Sequence, residues 1–505
     1  MTTVETLRKD AVAQPALLLV AGRTVGFVAS FLIPVVLARL FSRAEFGTYK
    51  QLFLIYGTIY GLAQAGMAES LYYFIPRRPD EAGRHVTNAC ATVAVVAVGC
   101  AVLLYLARSD IAARMTNPDL ARDLPLLALF LALTLGSVVF EIAMVSRKRH
   151  LGAAAVYAGS DLLRTACLVV PALALRGLRG VVAGAIAFAV IRLAGMLAYL
   201  PREFGRGLRI DLSLWRGQLI YALPFGAAVG VEVVQANLHQ YFVASRFNAE
   251  TFAIYAVGCL QIPLVDLIST STANVMMVKM AEEAGDGQHR IALTLWHDTT
   301  CRLATIVFPL AALLLLTARG IIVTLFTDRY LASVPIFMIW CLTILPSALS
   351  VDAVLRVYAR TRFLLAMNVL RLVLLAATIG WFLSTFGLAG AVMVTLLSTS
   401  LVKAVGVFRI AGLLNVGIRD VLPWRRLAVL AIQAGLAAVP AFWVNRAATW
   451  PAPVAVVVTG IVYASTFAAF WWLSTSRDRA GILTSTNRLP STELSPKQCV
   501  ASQAS

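Results

Sequence analysis

Apolar residues run along this chain in long blocks separated by short polar corners. The first block is QPALLLVAGRTVGFVASFLIPVVLARL, beginning at Gln14. The corner FSRAEFGTYKQ follows, and then the block LFLIYGTIYGLAQAGMAESLYYFIP, ending at Pro76. A helix needs roughly 20 mostly apolar residues to cross the hydrocarbon, and both blocks reach that length. Reading every such block as a helix predicts spans at 14–38, 51–75, 86–106, 124–145, 153–175, 180–200, 217–243, 251–277, 292–317, 331–355, 363–383, 387–408, 427–445 and 451–473. The expected fold is an all-α polytopic membrane protein with about 14 transmembrane helices. The polar start leads straight into a long first span, which reads as a span and not as a cleavable signal peptide.

An internal echo divides the chain further. Allowing one inserted residue, Ala44-Glu45 in the first corner answers Ala249-Glu250, and Phe46 and Tyr49 fall on Phe252 and Tyr255, an offset of 206 residues. Both corners follow a long span and precede another. The echo predicts two six-helix lobes around a central cavity, 1–210 and 211–412. Two additional helices at 413–476 and a disordered cytoplasmic tail at 477–505 complete the chain. Lobes of six spans share one orientation, the parallel-repeat arrangement of many alternating-access carriers.

Composition agrees with the pattern: the 505 residues are 60% hydrophobic and 13% charged, against about 25% charged in soluble domains. The net charge of +18 does not indicate nucleic acid, because the basic residues lie mostly in short loops. With the N-terminus inside, the cytoplasmic segments hold 25 Lys and Arg and the opposite side 12. That bias places both termini in the cytoplasm, and the cluster SRKRH at 146–150 is its clearest piece. The seven cysteines and five histidines show no metal spacing or disulfide framework. There is no Walker A, HExxH or CxxC sequence, so no catalytic site, cofactor or metal is expected, and transport would run on a gradient or on substrate supply.

Charge inside the spans is the main functional signal, because an ionised side chain at membrane depth normally faces a cavity or a partner. Arg23 and Glu69 lie in the first two blocks. Glu232 is mid-span, and Glu232, Gln235 and His239 share one helix face. Asp266 follows in the next span. Asp161–Arg164, Asp298–Arg302 and Asp352–Arg356 are spaced to neutralise themselves on one helix. Arg192 and Arg371 have no such partner and offer a guanidinium fork suited to phosphate. Pro224 with Gly226 combines a kink and a flexible residue, a candidate hinge.

The segment Leu40-Phe41-Ser42, then Phe46-Gly47 and Tyr49, closing a first helix, resembles the polysaccharide transporter branch of the multidrug/oligosaccharidyl-lipid/polysaccharide exporter superfamily. In the second half the motif is degenerate, with Ala253 answering Gly47. The resemblance implies a bacterial inner-membrane flippase carrying a polyprenyl-pyrophosphate-linked oligosaccharide to the outer leaflet, alongside a polysaccharide polymerase and glycosyltransferases. Arg23, assisted by Arg302, would then meet the pyrophosphate. Gln64, Gln235, Asn237 and His239 would bond sugar hydroxyls, and Glu232 and Asp266 would orient the arginines or bind a coupling cation. Closure around Pro224–Gly226 would reverse access. Three alternatives stay open: a lipid II flippase, a cation-coupled multidrug antiporter that would use Glu69, Glu232 and Asp266, and a non-transport membrane scaffold. The oligomeric state is not legible.

Overall fold

The computed structural model describes residues 26, 28–283, 289–447 and 449–486, and they are helical nearly throughout. The first described helix, α1, is Val28–Leu40, so Arg23 lies outside the described residues. The helices that follow are α2 (Arg43–Ala63), α3 (Leu71–Arg77), α4 (Ala82–Leu106), α5 (Arg108–Arg114), α6 (Asp119–Gly136), α7 (Val139–Ser146), α8 (His150–Leu175) and α9 (Leu178–Phe204). The second half holds α10 (Leu212–Arg246), α11 (Ala249–Gly258), α12 (Pro263–Glu283), α13 (His289–Phe326), α14 (Val334–Leu342), α15 (Val351–Val357), α16 (Thr361–Leu414), α17 (Trp424–Ala447) and α18 (Ala452–Thr486). Among the described residues ten helical segments are long and apolar enough to cross a membrane. The chain is therefore an all-α polytopic membrane protein.

Several expected spans are not single rods. The span expected at 51–75 breaks between α2 and α3, where Ala65 and Gly66 adopt φ of 46° and 72°. The span expected at 251–277 breaks between α11 and α12, and that at 331–355 is divided by a 3-10 turn at Leu345–Ala348. By contrast, 363–383 and 387–408 join in one 54-residue helical stretch, α16. At 1.5 Å per residue a straight rod of that length would be about 80 Å long, far beyond the ~30 Å hydrocarbon core. The chain doubles back instead: Gly387 has φ 59° and ψ −144°, and a Cβ on Gly390 would meet the Phe382 carbonyl.

The two corners of the internal echo share one construction. Ser42 caps α2, accepting from the Glu45 amide at 3.2 Å while Glu45 reaches back to the Ser42 amide at 3.1 Å. Asn248 caps α11 by accepting from the Thr251 amide at 2.9 Å. The two caps are separated by the same 206 residues as Phe46 and Phe252, so the corners align with no inserted residue. Ala44 answers Glu250, and Glu45 answers Thr251. The sequence reading shifted this pairing by one because it matched letters; the caps fix the register.

These corners also meet in space. A Cβ on Gly47 would collide with the Ala249 carbonyl, Arg43 pairs with Glu250 at 2.6 Å, and Arg39 donates to the Thr324 and Leu325 carbonyls. At the opposite end, the start of α10 docks on α4. Asp211 accepts from Arg84 at 3.1 Å and its backbone exchanges two bonds with the Asn88 side chain, at 2.8 and 3.0 Å. Trp215 donates to Thr92 at 2.8 Å, and Gln218 donates to Ser70 at 2.9 Å. The far half of α10 instead bonds α16, through Gln235 to the Asn368 carbonyl and Arg246 to the Gly380 carbonyl.

Asp211 is the N-cap of α10, and its carboxyl is held below the usual carboxylate range, first by the Ser213 hydroxyl and further by the Leu214 and Ser213 amides and Arg84. A depressed pKa contributes stability above the unfolded value of about 3.9 and loses it as pH falls through the folded one. The Asp211 contribution to the dock should therefore be constant from pH 8 to 5. Asp211→Ala should raise amide hydrogen exchange over 212–220 by a pH-independent margin in that window; equal exchange in both proteins would remove Asp211 from this role.

Candidate functional site

Two polar cavities adjoin near the middle of α2, with Ser30 and Phe53 lining both. The first, about 340 Å³, lies between α1, α2, α10 and α11. Ser30, Lys50, Asn237, Gln240, Cys259 and Gln261 supply its polar wall, and no Asp or Glu lines it among the described residues. Lys50 sits above the Phe46 ring at 5.6 Å and has no ion pair among the described residues. An ammonium in a partly enclosed cavity without a counter-charge attracts an anion. This cavity accordingly favours a phosphate-like group and disfavours an organic cation.

The second cavity, about 400 Å³, lies within the first half of the chain, between α1, α2, α6, α8 and α9. One wall is aromatic. Tyr49, Phe53, Tyr56 and Tyr60 recur at spacings of four, three and four, which places them on one face of α2. Tyr56 stacks on Phe130 at 4.6 Å and on Tyr60 at 5.5 Å. The other wall is charged but neutralised. Arg192 grips Glu141 with two bonds of 2.6 Å, and Arg164 pairs with Asp161 at 3.0 Å and donates to Ser30 at 2.5 Å.

Beside the second half, α13, α16, α17 and the turn at Leu345–Ala348 enclose an apolar groove of about 880 Å³. Phe308, Leu315, Pro346, Leu397 and Leu427 are among its walls, with Lys403 at one side. Lys403 is paired to Asp352 at 2.7 Å.

The residues singled out from sequence scatter across this frame. Asn237 lines the first cavity, with its amide donating to the Val233 carbonyl. His239 is buried against Tyr255, 2.6 Å from the hydroxyl, and Trp340. Gln235 is buried on the Asn368 carbonyl, and Gln64 bonds the Tyr60 carbonyl of its own helix. Glu69 lies in the α2–α3 break with one buried, unpartnered oxygen. Glu232, Asp266 and Arg302 are exposed and line neither polar cavity. Pro224 lies in an unbroken α10, and Gly226 lies where its backbone touches Ala65, so its lack of a side chain serves close packing there.

Charge pairing also departs from the sequence reading. Asp161–Arg164 forms as expected. Asp352 turns to Lys403, and Asp298 and Arg302 form no ion pair among the described residues. Arg192, read as a free phosphate ligand, is claimed by Glu141 of the neighbouring span. Same-helix spacing cannot see such a partner. Lys50 and the aromatic face of α2 were missed, although the 49-53-56-60 spacing is legible in the sequence.

Residues 12–258 match the family described as polysaccharide biosynthesis protein. That match covers 247 of the 505 residues, just under half of the chain. The chain is thus a multi-pass membrane protein whose N-terminal part is similar to that family. No curated protein sequence matches it. Among solved structures it is similar to the lipid II flippase MurJ in an inward closed conformation, with TM-score 0.69 and 10% identity over 92% of this chain and 100% of that one. An inward-facing multidrug resistance MATE family transporter of the MOP superfamily gives TM-score 0.57 and 13% identity, over 77% and 95% of the two chains. A superfamily transporter from Pyrococcus furiosus, described as having a binding pocket of reverse polarity, gives 0.55 and 14%, over 81% and 96%. At such identities these likenesses show the fold.

Proposed function

We propose that this chain flips a polyprenyl-pyrophosphate-linked saccharide across the inner membrane, with Lys50 meeting the pyrophosphate. The observation that carries this reading is an ammonium with no ion pair, in a cavity with no acidic lining, among the described residues. A pyrophosphate cannot enter hydrocarbon bare, because an unpaired buried charge is very costly. The apolar groove beside α17 is suited to a prenyl tail, while the polar cavities are suited to the head. We read the whole as fourteen spans with both ends cytoplasmic, in lobes of residues 1–210 and 211–412, followed by two further helices at 413–476. The scattered charges make a cation-coupled drug antiporter the weaker fit: Glu141 and Asp161 are already paired, and Glu232 and Asp266 lie outside the cavities.

Two head groups suit this reading, an oligosaccharide repeat unit and lipid II. The family description speaks for the former. The full-length fold likeness to a lipid II flippase favours the latter more directly.

Proteoliposomes carrying the parent protein or Lys50→Gln should be given three cargoes: lipid II, a prenyl-pyrophosphate oligosaccharide and a fluorescent organic cation. Flipping of at least one lipid, reduced more than tenfold by Lys50→Gln, is the expected result. Transport of the cation alone, insensitive to Lys50, would sink the proposal.

A further inference from the structure

We infer that the second cavity is a saccharide subsite, in which a pyranose ring of the lipid-linked head group packs against the aromatic wall formed by Phe53, Tyr56 and Tyr60. The inference rests on the flippase reading and adds a place for the sugar that neither the charges nor the motif supplied. Four observations converge on it.

The first is the shape of the wall. Phe53, Tyr56 and Tyr60 are only half-buried, and they line a cavity of about 400 Å³. Tyr56 is held between Phe130 and Tyr60, with interplanar angles of 28° and 26°. With its faces covered, Tyr56 braces Tyr60 and Phe53, which present a rigid wall to the cavity. The face of an aromatic ring is electron-rich and attracts the weakly positive edges of C–H bonds, and a pyranose offers a row of such bonds on its less polar face.

The second is the charge balance. Arg192–Glu141 and Arg164–Asp161 are both closed pairs, so the cavity has polar edges without a net charge to demand an ion. Such a lining suits hydroxyl groups. A phosphate would prefer Lys50 in the neighbouring cavity.

The third is an unfilled donor. The Arg164 Nε is buried and has no acceptor, while its guanidinium already donates to Ser30 and Asp161. A buried N–H without an acceptor is expensive, and a turn of the Arg164 side chain towards the cavity would offer it to a ligand hydroxyl.

The fourth is contiguity. Ser30 and Phe53 line both cavities, so one head group can reach Lys50 with its pyrophosphate and the tyrosines with its sugar. The amides and imidazole singled out from sequence are less suited to this task, since Gln64, Gln235 and His239 are already engaged within the protein.

The test is a binding measurement on purified protein with two ligands, undecaprenyl pyrophosphate and undecaprenyl-pyrophosphoryl disaccharide. Tyr56→Ala should weaken the glycosylated lipid about tenfold and leave the bare lipid unchanged. Tyr56→Phe, which keeps the ring face, should bind both like the parent. Lys50→Gln should weaken both. A Tyr56→Ala effect that is absent, or equal on the two ligands, overturns the saccharide subsite while the flippase reading stands. A parent that binds neither lipid overturns that reading first. Should Tyr56→Ala fail to fold, Tyr60→Ala carries the same comparison.

Discussion

Arg192→Ala is expected to destabilise the protein by about 3–5 kcal/mol, the usual cost of removing one member of a buried ion pair. Glu141 and Arg192 side chains are only 4% and 14% exposed, and they share two bonds of 2.6 Å. The arginine Nε is satisfied by Ser137 at 3.0 Å. Truncating the arginine leaves a carboxylate buried between α7 and α9 without its counter-charge. The penalty lies in the orphaned charge more than in the lost bond, so Glu141→Leu combined with Arg192→Leu should recover most of the loss. Thermal unfolding of the parent, the single and the double variant in one detergent measures this. A double variant as unstable as the single would place the cost in packing.

That pair marks the boundary of what the chain discloses on its own. Membrane class and most span positions are legible, because twenty-residue apolar blocks have few other uses. The pairing of the two corners is legible as well, because a polar N-cap followed by Phe and Tyr is a local pattern. What fails is anything set between helices. Arg192 looked free because Glu141 is 51 residues away, on a span whose break at Ser137 brings it alongside. Asp352 looked committed to Arg356, yet a neighbouring helix supplies Lys403. Glu232 and Asp266 drew attention because they are charged at depth, whereas the cavities are built mainly from Lys50, aromatic rings and already neutral pairs. Lys50 escaped notice because it sits in a polar corner that reads as a loop but folds as the first turns of α2.

The same corner gives the prediction with the largest functional effect. Gly47→Leu should abolish translocation while leaving a folded protein. Gly47 on α2 packs directly on the backbone of α11: a Cβ there would lie 3.1 Å from the Ala249 Cα and closer still to its carbonyl. The obstacle is backbone, not the end of a flexible side chain, so it cannot rotate away. The Arg43–Glu250 pair nearby is about half exposed and worth at most about 1 kcal/mol, too little to pull the helices back together. Relief comes from α2 and α11 moving apart, which opens the end that the basic-residue bias assigns to the outside. An alternating-access carrier held open on one side cannot complete its cycle.

Cys259 provides the readout, since it is buried and lines the first cavity. In a variant retaining Cys259 as its single cysteine, an impermeant maleimide added from outside should leave the parent unlabelled and label Gly47→Leu. Gly99→Leu, at a position where a Cβ meets nothing, should leave both transport and labelling unchanged. Translocation by Gly47→Leu at the parental rate, with Cys259 still protected, would show that this contact does not close the cavity.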